Sequence, residues 1–174
     1  CPDAIMNDRA TISPLELDIY VPSKKMAIEY CGLYWHGEKL KGSEARSRHS
    51  NKLKECKARG IRLITIFEDE WNLKKKTVES FLQSALGLQG NKIGARKLKV
   101  VSLPKEIASA FLNANHLQSA SHGDNLALVD STGTVFAVAL YAKPNASRGR
   151  DRALGEWELS RYCVAPGVRV QGGL

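Results

Sequence analysis

No run of apolar residues in this chain approaches the ~20 that a helix needs to cross a bilayer. The first residues also lack the basic-then-apolar pattern of a secretory leader. A soluble, cytoplasmic protein without a membrane partner is therefore expected. Cysteine is scarce as well: Cys1, Cys31, Cys56 and Cys163 are scattered without a C-x-x-C pair. That spacing argues against a zinc knuckle or disulfide framework and for free thiols in a reducing compartment. Acids run short of bases, 18 against 26, which leaves a formal charge of +8 and a pI near 9.4. The excess favours a polyanionic partner, nucleic acid foremost. A membrane surface is the rival, but no long basic amphipathic helix with aromatic anchors supports it. No internal repeat is present.

What the chain does contain is enough apolar residue, 43% against 25% charged, to build a core. At 174 residues it has room for one domain or two small ones. The most patterned stretch is 15–36. Leu15, Leu17, Ile19 and Val21 alternate with Glu16, Asp18 and Tyr20, and the alternation resumes over Met26–Cys31, as half-buried strands require. Pro22-Ser23-Lys24-Lys25 between them is turn chemistry. A hairpin with that loop pairs Val21 with Met26 and sets Asp18 opposite Glu29. Like charges directly opposed across an antiparallel pair are destabilising. A divalent cation such as magnesium would offset the repulsion by taking carboxylate oxygens as ligands. A two-residue slip in register keeps Asp18, Glu29 and Cys31 on one face, whereas a one-residue slip does not. The same pattern also suits a polar strand face whose carboxylates simply point at water.

Asp18 followed by Glu29-x-Cys31 on the next strand resembles the Asp...Glu-x-Lys core of restriction-endonuclease-like nucleases, with Cys31 in the place of the usual lysine. Gly32-Leu33-Tyr34-Trp35-His36 is similar to the Gly-x-aromatic-Trp-His segment of very-short-patch-repair endonucleases and of phage homing endonucleases that share their fold. Cys56 to Glu68 resembles the helix end, Gly, basic strand and terminal acid of the same family. The resemblance spans roughly residues 8–72. It implies magnesium-dependent hydrolysis of phosphodiester bonds in double-stranded DNA, in the setting of a phage or bacterial mobile element. Asp18 and Glu29 would be catalytic and metal-binding, with the Cys31 backbone or an additional water completing the metal shell, and His36 would act as general acid or base. The family carries a helix with an acidic residue before its first core strand. None is visible in residues 1–14, so the chain is expected to be a fragment lacking one active-site carboxylate.

Beyond the hairpin, Ser43 can cap a helix over about 44–59, with Gly60 as its stop. Ala45, His49, Leu53 and Cys56 form its inward stripe. His49 reads from the pattern as a hydrogen-bonded core histidine; the resemblance adds it to the catalytic set, at the position where the family pairs an Asp with the Trp-His histidine. Arg46, Arg48 and Lys52 on the remaining faces, with Arg9 ahead of the hairpin, are the candidate DNA contacts. Arg9 equally suits a solvated surface. Residues 61–67 read as a central strand. Glu68 suits either metal support or an acidic cap for a helix over 72–86.

The segment 87–96, rich in Gly, reads as a linker. The spacing then predicts a strand over 97–103, a helix from Pro104 to Asn113, a hairpin of 126–130 and 134–141 across Ser131-Thr132-Gly133, and a strand over 156–164. This second half resembles a truncated acyl-CoA acetyltransferase, with Arg169-Val170-Gln171-Gly172-Gly173 as part of the turn that holds the cofactor pyrophosphate. The expected fold class is α/β: a restriction-endonuclease-like mixed sheet flanked by helices over 1–86, then a smaller α+β acetyltransferase-like domain over 97–174. The alternatives to a nuclease are a non-catalytic DNA-binding module derived from one, and an acetyltransferase.

Overall fold

The two alternating stretches fold as the hairpin their spacing predicts. Strand β2 (Leu17–Val21) pairs antiparallel with β3 (Met26–Cys31), and Val21 faces Met26. The turn is a single 3₁₀ turn, Pro22–Lys24, closed by Lys25 in the left-handed region with its N–H donating to the Pro22 carbonyl. The computed structural model describes residues 1–32, 42–144 and 155–173, with backbone alone for 42–48. The chain divides into two units, Cys1–Val78 and Glu79–Leu174. It is mixed α/β, and no described helix is long and apolar enough to cross a membrane.

In the first unit a short edge strand, β1 (Ile5–Asp8), precedes the hairpin and pairs antiparallel with β2. The spacing does not predict it, because Ile5 and Met6 are both exposed and leave no alternation to read. Helix α1 (Gly42–Ala58) crosses from β3 to β4 (Arg62–Phe67), which lies parallel to β3, so the sheet order is β1-β2-β3-β4. A parallel pair requires such a crossover. Gly60, at φ +69°, ends α1: its N–H reaches the Lys57 carbonyl and the Ile61 N–H reaches that of Cys56, a Schellman closure. Ile12, Leu17, Ala27, Cys56 and Ile61 form the core, which fastens the helix to one face of the sheet.

Helix α2 (Glu68–Ala85) starts four residues earlier than the apolar spacing predicts. Glu68, Asp69 and Glu70 fill its first turn, where negative charge suits the helix dipole, and the Glu70 carboxylate accepts the Phe67 N–H at 3.1 Å. Lys74 breaks the helical geometry inside it.

The second unit holds β5 (Asn91–Gly94), β6 (Lys99–Val101), helix α3 (Lys105–Asn115), β7 (Asp124–Val129), β8 (Val135–Ala142), β9 (Glu158–Val164) and β10 (Val168–Gln171). Strands β6-β7-β8-β9 form an antiparallel sheet, and β5 pairs parallel with β10. Ala108 and Leu112 of α3 pack on Ala127, Val129, Val138, Leu140 and Cys163. Two expectations change here. The segment read as a linker contains β5, and Arg169, Val170 and Gln171 of the residues read as a pyrophosphate turn lie within β10, an extended strand. Both strands are four residues long, too short for alternation to show.

Gly123 sets the entry to β7. Its φ is +151°, and a Cβ there would run into the Tyr141 carbonyl oxygen. Gly123→Ala is therefore expected to cost about 1–3 kcal/mol through strain and overpacking. A urea titration checks this, and an unchanged midpoint would show that the β7–β8 ladder gives way freely.

Candidate active site

In the first sheet β2 lies between β1 and β3, with Leu17 facing Asp8 and Ile19 facing Ile28, and Asp18 sits between those two positions. The two acids are tied by reciprocal bonds. The Asp18 backbone N–H donates to Glu29 Oε1 at 3.1 Å, and the Tyr30 backbone N–H donates to Asp18 Oδ2 at 2.8 Å. Each carboxylate thus satisfies an amide of the opposite strand, which fixes both side chains on the hairpin. Asp18 is half-buried and Glu29 is only 4% exposed.

The repulsion that opposed acids imply is met from within the chain. The Lys52 ammonium of α1 donates to Glu29 Oε2, and the Lys52 side chain is only 16% exposed. Lys52 was expected on a DNA-facing side of the helix, with Leu53 inward; instead Leu53 is 54% exposed. The inward positions are His49, Lys52 and Cys56, so the stripe turns by one residue toward the buried carboxylate. A buried carboxylate recruits a cation more strongly than a leucine recruits the core, because an unpaired buried charge is far the costlier outcome.

His49 comes to Cys31, with Nε2 3.7 Å from Sγ. Burial, and then the charges of Glu29 and Asp18, push the Cys31 thiol up from its ordinary value, against a smaller opposing effect of Lys52. No group of three or more His, Cys, Asp and Glu among the described residues could hold a metal. The pair Asp18 and Glu29 still fits magnesium, which binds through one or two carboxylates and keeps its remaining sites for water and phosphate. The Cys31 thiol, a soft donor, does not suit that shell, which leaves its backbone oxygen or a water to complete it.

Comparison with protein-family models, characterised proteins and solved structures finds no match to this chain. The site is therefore read from its own residues.

The other candidates divide. Arg9 is on the surface, held by Glu16 through a 2.6 Å ion pair. His36, and the Tyr34 and Trp35 beside it, lie outside the described residues, as do the side chains of Arg46 and Arg48. Asp8 was not singled out from sequence. It is buried on β1, and its Oδ1 accepts the N–H groups of Ala10 at 2.9 Å and Thr11 at 3.2 Å. The Thr11 side chain, ahead of those backbone bonds, holds its carboxyl below the usual range against the opposing effect of burial. The signal available for it was Asp8-Arg9-Ala10-Thr11, an Asp able to bond the backbone two and three residues on.

Proposed function

We propose that the first unit is a magnesium-dependent DNA endonuclease of the restriction-endonuclease-like type, from a phage or other mobile element. The observation that carries this reading is the Asp18–Glu29 pair, held side by side on adjacent strands by reciprocal backbone bonds with a lysine against it. Asp18 and Glu29 would hold magnesium, which supplies charge neutralisation at the phosphate and a more acidic attacking water. Lys52 offers an ammonium to a phosphate oxygen from the same place. His36 follows the pair in sequence and brings an imidazole whose intrinsic pKa lies near neutrality, suited to moving the proton. The net charge of +8 draws the duplex.

A second reading, a DNA-binding module without catalysis, is favoured by one observation: the Lys52 ammonium already occupies Glu29. Supercoiled plasmid separates the two. The nuclease reading expects nicked or linear product with magnesium and none after chelation. Salt-sensitive binding with no cleavage in magnesium or manganese would overturn it and leave the binding module.

A further inference from the structure

We propose that Lys52 is a built-in counter-ion that keeps Glu29 closed to metal until a phosphate draws it away, so that metal and duplex DNA bind cooperatively. The proposal rests on the nuclease reading for what the site serves. Its primary measurement does not involve cleavage.

The physical case begins with burial. Glu29 is 4% exposed and sits beside a second acid, so in the absence of metal it needs a cation. The chain provides one from the crossover helix, and Lys52 is itself largely buried in doing so. Both Glu29 oxygens are then engaged, Oε1 by the Asp18 amide and Oε2 by Lys52. A dication arriving at Glu29 meets an ammonium already on the oxygen it needs. Two acids and one lysine leave a single negative charge at the site; with Lys52 withdrawn, the two acids match a divalent ion.

Phosphate is the partner that can withdraw it. Lysine carries a compact charge on a flexible four-carbon stem and binds phosphate as a point charge. Moving from Glu29 to a backbone phosphate exchanges one anion for another, and leaves no buried charge unpaired once metal fills the vacated side of Glu29. Any ligand that draws Lys52 off Glu29 must raise metal affinity, and metal must raise affinity for that ligand by the same factor.

Manganese binding to the full chain, followed by electron paramagnetic resonance, tests this. Without DNA, Lys52→Met is expected to bind manganese about tenfold or more tightly than wild type, within the usual range of coupling between two ligands. Asp18→Asn in the Lys52→Met background should abolish the gain. A short duplex, corrected for manganese bound to DNA alone, should tighten metal binding in wild type but add little in Lys52→Met. Lys52→Arg covers the case in which the methionine variant does not fold. Arginine keeps the charge and grips a carboxylate with two donors, so metal should bind more weakly than to wild type. Equal manganese affinity in wild type and the folded variants, or weaker binding in Lys52→Met, overturns the proposal. Tightening in Lys52→Met without cleavage of any plasmid overturns the nuclease reading alone. Cleavage with equal affinities overturns the counter-ion alone.

Discussion

Replacing Glu29 with alanine is expected to lower stability by about 3–5 kcal/mol, the range for removing one partner of a buried ion pair. Two losses combine. The Lys52 ammonium, on a side chain 16% exposed, is left without its anion, and the Asp18 amide loses the acceptor that Glu29 Oε1 provides. Glu29→Gln should fall between wild type and alanine, since its amide oxygen can still accept from Asp18 while Lys52 goes unpaired. The decisive comparison is the double variant Glu29→Ala with Lys52→Met, which removes the stranded charge and should recover much of the loss. Urea unfolding at constant slope measures each step. A loss below about 1 kcal/mol, typical of exposed pairs, would mean that Lys52 swings into water and that the pair does not hold α1 to the sheet.

Asp18→Asn is expected to do the opposite: large in activity and small in stability. Asparagine retains an oxygen for the Tyr30 amide, so the crossed bonds of the hairpin survive. It loses the charge that magnesium needs. Single-turnover cleavage should fall at least about a thousandfold, which corresponds to ~4 kcal/mol of transition-state stabilisation. The urea midpoint should stay close to wild type. Cleavage at the wild-type rate would remove Asp18 from the mechanism; a large stability loss at an unchanged rate per folded molecule would make it structural.

The hairpin was legible in sequence because two independent signals agreed on one register. The alternation of Leu17–Val21 and Met26–Cys31 set the faces, and Pro22 set the loop, so the facing of Val21 and Met26 followed from the residues alone. Gly60 was legible for a similar reason, since a helix end and a left-handed residue are the same signal. Lys52 was not legible. On a helix, Lys52 and Leu53 compete for the position one turn after His49, and a hydrophobic pattern always chooses leucine. Only the buried carboxylate across the gap reverses that choice, and the contact spans from β3 to α1. The opposed acids announced a need for positive charge, but nothing in their spacing pointed to a lysine 23 residues on from Glu29. Strand β1 and the pair β5 and β10 escaped because four residues contain too few alternations to rise above noise, and pairing rather than composition makes them strands.

Strands β5 and β10 are hydrogen-bonded neighbours drawn from near the beginning and the end of the second unit. Contacts between residues so far apart in sequence form late, because the intervening chain must be confined first. On the ribosome β5 emerges long before β10, and its hydrogen-bonding edge has to wait while β6 to β9 are made. A nascent chain stopped short of Val168 therefore carries an open strand edge, the kind of surface that recruits another chain or a chaperone.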